Sequence, residues 1–402
     1  MVLKVTTESA LAFTKANVSL VCSWPPSSNA KRSEILRFRI YWWIVLFLLV
    51  QLFLPLINGI WVFRNDLLVA VKLILLSSAT SQALAKIIFC RLQRKRLQGL
   101  YMELETFLKN AKPFERLVLQ RYVDRAIIFY GVVSVGIYLG AVNLIVEPLI
   151  QSQPFPTDAS YPFPVDFHPV HEILYVQQCL AICHIGSALF IDSQVAILLW
   201  FASARFEMLG EEFERVSCPD ELNSCIRKHQ KLLRFADDVK IFTRFIALAI
   251  IATATIGILC GGLTLISRQP ISVKLRVSNI IINAAVELFV YAWPADNLIE
   301  TVRLCDIFDI GNEEFSLINV DNLRNQSQDI GNRVYRSAWV GKPNAMLKNI
   351  VSVVHRSQKP VVVSVRGFVP ALSLYYYLSF LSTSLSYFMT LRIIYTELPD
   401  DE

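Results

Sequence analysis

The chain alternates long uncharged runs with shorter charged ones. Four stretches carry no charged residue for 20 or more positions: Ile40 to Phe63, Ala126 to Val146, Phe245 to Ser267 and Gly367 to Leu391. A helix crossing a hydrocarbon core about 30 Å thick needs about 20 apolar residues, so each can span a bilayer. Three more stretches of similar length are interrupted. Leu67 to Cys90 contains Lys72 and Lys86, Ile173 to Ala204 contains Asp192, and Val277 to Ile299 contains Glu287 and, near its end, Asp296. The pattern predicts an all-α membrane protein with seven transmembrane helices.

Composition agrees. Of 402 residues, 54% are hydrophobic and 18% charged, against about 45 to 50% and about 25% in soluble domains. A soluble enzyme is excluded on that ground. The chain also lacks a metal-binding HExxH, a phosphate loop and a nucleophile elbow. Adjacent acids at Glu211-Glu212 and Asp237-Asp238 read as solvated helix faces. No cofactor is implied.

The formal charge of +6 could indicate nucleic acid, but its placement points to a membrane. With the first span preceded by cytoplasm, the inner segments hold 31 Lys and Arg and the outer ones 5. Basic residues are retained on the cytoplasmic face, so the N-terminus is expected inside and the C-terminus outside, the reverse of a G-protein-coupled receptor. The layout is then a cytoplasmic segment over 1–39, six spans over 40–299, a cytoplasmic segment over 300–360, and the seventh span with an extracellular tail over 361–402. The sequon Asn17-Val18-Ser19 would face the cytoplasm and stay bare. None of the eight cysteines falls in a predicted outer loop, so structural disulfides are not expected.

Arg91 to Arg125 and Arg205 to Arg244 mix charges with apolar residues at helical spacing, such as Leu97, Leu100, Tyr101, Leu104 and Leu108. They read as helices continuing into the cytoplasm, either as a packed anchor bundle or as amphipathic helices on the inner leaflet. Gln151 to Glu172 has prolines at 154, 156, 162, 164 and 169. Proline removes a backbone donor, so this is an extended loop, either a lid or a plain connection. In the last span Ser379, Thr383, Ser386 and Thr390 recur at steps of 4, 3 and 4. That spacing draws one stripe, equally suited to a pore wall or to close helix packing. Ile394 continues that wall, and Glu397, Asp400, Asp401 and Glu402 form an acidic tail.

The ordered set Tyr335, Trp339, Lys348, Arg356-Ser357-Gln358-Lys359-Pro360, Gly367-Phe368, Pro370, Ser373-Leu374, Ser386-Tyr387-Phe388 and Leu391 resembles the C-terminal signature of insect odorant receptors. Trp293-Pro294-Ala295-Asp296-Asn297-Leu298-Ile299 is similar to receptors of ants, bees and wasps. The resemblance implies a subunit of a ligand-gated cation channel in the plasma membrane of olfactory neuron dendrites, forming a heterotetramer with a shared co-receptor. It implies a small hydrophobic odorant bound in the outer half and a pore lined by Ser379, Thr383, Ser386, Thr390 and Ile394. Tyr335, Trp339, Arg356, Gln358, Lys359 and Pro360 would anchor the assembly. Two departures stand out: extra length from Thr301 to about Leu323, either an inner loop or a retained intron, and Val340 where an aromatic is usual.

An odorant pocket needs apolar walls and few polar groups. The outer halves of the spans offer Val71 and Ile74; Gly136, Tyr138, Leu139, Val142 and Asn143; Cys179, Cys183, His184 and Ser187; and Asn279, Ile280 and Asn283. Cys179, Cys183 and His184 lack a fourth ligand and make a weak metal site. Asp192 and Glu287 either face a wet interior, pair with Lys72 or Lys86, or lie near enough to the cytoplasmic edge for water. The last reading is preferred, more so for Asp192. The rivals are a gustatory-type chemoreceptor channel, a metabotropic receptor, which would need an outside N-terminus, and a transporter, for which no inverted repeat is evident.

Overall fold

The computed structural model describes residues 5–27, 30–151, 154–165, 167–266, 271–303, 347–352, 362–365 and 369–397. The named helices are α1 (Thr7–Ser19), α2 (Arg32–Val62), α3 (Leu67–Leu92), α4 (Arg94–Asn110), α5 (Pro113–Gln151), α6 (Val170–Glu214), α7 (Pro219–Ile266), α8 (Ile271–Arg303) and α9 (Leu374–Glu397). An isolated antiparallel bridge joins Val365 and Val369 just before α9.

Six helices, α2, α3, α5, α6, α7 and α8, are long and apolar enough to cross a membrane. They correspond to the first six expected spans. α9 has 24 residues but is not among the six, because Tyr375, Tyr376, Tyr377 and its serines and threonines lower its hydropathy. The predicted continuations are helical as well. α5 begins at Pro113, a residue suited to a first helical turn, and α6 and α7 run past the apolar runs to meet at a turn over residues 215–218.

α6 is the central post. It packs against α1, α2, α3, α5, α7 and α8, and its side chains are buried almost without break from Ser187 to Ala204. A helix apolar on every face is one surrounded by other helices. α2 is two-sided: Val45, Leu49, Leu52 and Leu56 are buried at steps of 4, 3 and 4, while Trp43, Phe47, Leu54 and Trp61 are exposed. Exposed apolar surface of that extent fits lipid better than water.

Of the two expectations for α4, a packed bundle or a leaflet-bound helix, its apolar stripe fits the first within this chain: Leu97, Leu100, Tyr101 and Leu104 are all buried, and Trp24 stacks on Tyr101 with ring centroids 3.7 Å apart. α1, which sequence pattern does not single out, starts with reciprocal Thr6 and Ser9 caps at 3.0 and 3.2 Å and lies against α6 and α5. Both groups of the Asn17 amide are engaged, Nδ2 donating to Phe13 O at 3.0 Å and Oδ1 accepting from Tyr138 Oη at 2.6 Å.

The proline-rich loop is extended and pinned at the end of the bundle away from α4. Asp158 pairs with Lys72 at 2.6 Å, Ser160 N donates to Pro55 O at 3.1 Å, and Asn58 Nδ2 donates to Ser160 O at 3.0 Å. Thr157 donates through N and Oγ1 to Gln178 Oε1 at 3.1 and 2.9 Å. Phe155 is buried beside His171.

Candidate functional site

The most deeply buried charges lie where α3, α6 and α8 meet. Lys86 is 1% exposed, and its Nζ sits 2.7 Å from Asp192 Oδ1 and 2.7 Å from Glu287 Oε1. Tyr291 Oη donates to Asp192 Oδ1 at 2.6 Å. Gln82 Nε2 donates to Glu287 Oε1, and Thr253 Oγ1 of α7 lies 3.1 Å from Gln82 Oε1. Asp192 is therefore not at a wet edge, since it is 4% exposed and held by an ammonium and a phenol. Burial in the bundle leaves ion pairing and hydrogen bonding as its only means of staying charged. Lys72 serves Asp158 instead.

A second junction joins α8 to α9. Trp293 packs edge-on to Trp200 at 5.2 Å and stacks near Phe289 at 5.8 Å, while Phe289 meets Tyr377 of α9 at 5.4 Å. Asp296 Oδ1 accepts the backbone N–H of Leu374, the first residue of α9, at 3.1 Å. Ser373 Oγ accepts the N–H of Tyr376 at 3.2 Å. Helix N-termini present unpaired donors and a partial positive charge, so Asp296 is a cap supplied by a neighbouring helix rather than a mere interruption of its span. Asp296→Ala is expected to destabilise α9 by about 1 kcal/mol, with Asn recovering part of it. Thermal melting of the detergent-solubilised chain checks this, and equal melting of wild type and Ala would remove the cap from the account.

Close approach is also built into the bundle. A Cβ on Gly261 of α7 would fall 2.9 Å from the Ile281 side chain of α8, so any larger residue there would have to push that side chain aside.

On α9 the four stripe residues are all exposed in the single chain. Thr383 Oγ1 donates to Ser379 O at 2.8 Å, and Thr390 Oγ1 to Ser386 O at 3.0 Å. With their protons turned back to the helix, these two hydroxyls present lone pairs outward. Leu378, Leu385, Tyr387 and Met389 are exposed beside them. The side chain of Ile394 lies outside the described residues, as do Tyr335, Trp339, Arg356, Gln358, Lys359, Pro360, the acidic tail beyond Glu397 and most of the extra length after Thr301.

The candidate ligand residues fall on several faces. Val71 and Ser187 are buried, and Ile74, His184 and Ile280 are partly buried. Gly136, Tyr138, Leu139, Val142, Asn143, Cys183, Asn279 and Asn283 are exposed. His184 is held by Leu180 O at 2.7 Å from Nδ1 and by Tyr41 Oη at 3.4 Å from Nε2. Ser187 donates to Cys183 O at 2.9 Å, and Asn283 Nδ2 to Asn279 Oδ1 at 3.4 Å. Among the described residues no three His, Cys, Asp or Glu side chains converge as metal ligands, and the seven described cysteines are free.

Gln82, Tyr291 and Thr253 were not singled out from sequence. A signal existed for two of them: Gln82 with Lys86, and Glu287 with Tyr291, are each four apart and so share a helix face.

Comparison with known proteins agrees with this architecture. Residues 66–303 match the sequence model of the 7tm odorant receptor family. Odorant receptor Or2 of Anopheles gambiae is 23% identical over 177 residues, 44% of this chain and 39% of that relative, so the match spans about two-fifths of its length. Two solved structures of the olfactory receptor OR5 of Machilis hrabei share the fold. The eugenol complex superposes with a TM-score of 0.71 at 14% identity over 96% of this chain and 98% of that one. The other has a TM-score of 0.72 at 15% identity over 95% and 97%. With six helices of spanning length and a family match over more than half of its residues, the chain is a multi-pass membrane protein belonging to the 7tm odorant receptor family.

Proposed function

We propose that the chain is the ligand-tuned subunit of an odorant-gated, non-selective cation channel, assembled with a shared co-receptor subunit in the plasma membrane of olfactory neurons. The observation that carries this reading is the exposed hydroxyl stripe of α9. A single chain leaves that face uncovered, and the oxygens of Thr383 and Thr390 point outward where a cation's hydration would need replacing. Other subunits around a common axis would cover the flanking apolar residues and leave the stripe to water.

In this reading the N-terminus is cytoplasmic, and residues 300–360 with the α4 end of the bundle form the anchor. The pinned proline-rich loop lies on the outer side as a cover. The odorant sits beneath it, with Val71, Ile74, His184, Ser187 and Ile280 the candidates already buried at least in part. Its chemistry is that of a small hydrophobic molecule oriented by one or two hydrogen bonds. OR5 of Machilis hrabei, which has this fold, is described in complex with eugenol.

The test is expression in cells with and without the co-receptor while a panel of volatiles and cuticular hydrocarbons is applied. Odour-evoked cation current in the paired cells, absent from either subunit alone, is the expected result. A response carried by a G-protein cascade, or current that requires the co-receptor's absence, would contradict the assignment.

A further inference from the structure

Three arginines meet where α2 begins its apolar run and α3 ends its own. Arg39 is the last charge before the uncharged stretch of α2, Arg91 is the first charge after Lys86 on α3, and Arg94 opens α4. α2 and α3 pack along one another, and two rings of α2 receive the cations from the other side. Phe38 and Trp42 are four apart and so share a helix face. The Arg94 guanidinium lies 5.2 Å from the Phe38 ring centroid, and that of Arg91 lies 5.6 Å from Trp42. Arg39 follows Phe38 directly.

No acid relieves this cluster. None of the three side chains has a carboxylate or a hydrogen-bond acceptor within reach among the described residues, and Arg91 Nη1 is enclosed without a partner. Burial, then the positive charges of Arg91 and Arg39, hold the Arg94 guanidinium below its ordinary range. The next cation along α4 is treated differently: Arg96 is held by Asp238 at 2.8 Å and by Gln93 at 2.7 Å. Like charges gathered at a half-buried site repel, and the two aromatic faces offset only part of that.

Beside the cations lies exposed apolar surface. Leu36 and Trp43, three before and four after Arg39 and so on its face, are exposed, as are Ile88, three before Arg91, and Leu92. A ligand that satisfies both parts of this surface has a polyanionic head with hydrocarbon behind it, which is the build of a membrane phospholipid. Charge narrows the class. A phosphodiester alone sets one negative charge against three guanidinium groups, whereas a phosphomonoester adds about 1.5 to 2 more. One of each comes close to balance, and arginine is the side chain that grips phosphate through two parallel donors.

We infer that Arg39, Arg91 and Arg94 form a headgroup site for a phosphoinositide, a phospholipid carrying phosphomonoesters on its headgroup, whose acyl chains run along the exposed faces of α2 and α3. The lipid ties the ends of two spans to the first turn of α4, apart from both the odorant candidates and the α9 stripe.

The test is native mass spectrometry of the full-length chain from mixed micelles containing phosphatidylinositol bisphosphate and phosphatidylserine. Lipid reaches both ends of the bundle there, so the outcome does not depend on which end is cytoplasmic or on channel activity. The wild-type chain is expected to retain one phosphatidylinositol bisphosphate in preference to phosphatidylserine. Arg39→Gln, at an exposed position, should weaken that retention about fivefold, and Arg39→Gln combined with Arg94→Gln about twenty-fivefold. Arg96→Gln, which removes a cation already paired, should leave it unchanged. Equal retention of the two lipids would overturn the proposal, as would unchanged retention in Arg39→Gln. An equal loss in Arg96→Gln would overturn it too, by making the effect one of general surface charge. So would displacement by soluble inositol trisphosphate as effective as by the lipid itself, since hydrocarbon would then contribute nothing.

Discussion

Replacing Lys86 with methionine is expected to cost about 3 kcal/mol, because it leaves the buried Asp192 and the partly buried Glu287 facing each other without a cation. That is a large share of the net stability of a typical domain, about 5–15 kcal/mol. Asp192 would keep only the Tyr291 hydroxyl, and Glu287 only the Gln82 amide. The informative comparison is with a chain in which Lys86→Met is combined with Asp192→Asn and Glu287→Gln. Removing all three charges removes the desolvation problem along with the ion pairs, so the triple variant should recover most of the loss. Melting followed by size-exclusion chromatography, together with surface biotinylation, reads both. If the triple variant melts no higher than the single one, the ion triad is not what the site depends on.

Lysine at Ser386 or Thr390 is expected to lower cation conductance by more than tenfold while leaving surface expression near wild type. Both residues are exposed in the single chain, so a long charged side chain meets no core. A unit charge about 10 Å from a passing cation, at an effective dielectric constant of about 20, raises its energy by about 1.7 kcal/mol. Each 1.36 kcal/mol is about a factor of ten in rate. Repeated in several subunits, the barrier only grows. Lysine at Ser384, on the partly buried side of the same helix, is the control and should damage expression rather than permeation. Single-channel conductance and the reversal potential under a sodium chloride gradient make the measurement. Unaltered permeation in both stripe variants would return the hydroxyls to a role in helix packing.

The spans were legible because lipid demands length and low charge, and residues 40 to 299 meet both in six places. The seventh was harder. Its polar stripe and three consecutive tyrosines dilute the very signal that marks the others, so its uncharged length speaks for a span while its hydropathy does not. Single charges were harder still. Lys72, Lys86, Asp192, Glu287 and Asp296 look alike as interruptions of apolar runs, yet one pins a loop, three form a triad and one caps another helix. Periodicity says which residues share a face of one helix. It does not say which helix that face meets, and so neither the Asp158–Lys72 clamp nor the role of α1 as a packed element was readable. Scattered exposure of the candidate ligand residues has the same origin: a position in the outer half sets depth in the membrane, not direction around the helix axis.

The junction between α8 and α9 sets how these two helices can move. α9 hangs from α8 at its very first residue, by the carboxylate of Asp296, and again one turn on, by Tyr377 against Phe289. Farther along, Phe388 lies within 3.3 Å of where a side chain on Gly262 of α7 would begin. A swing of α8 that left the top of α9 behind would tear a charged cap from an open helix end. Tilt of α8 is therefore passed to the first turn of α9 through this short coupling, while the remainder of α9, seated on α7, follows that helix as well.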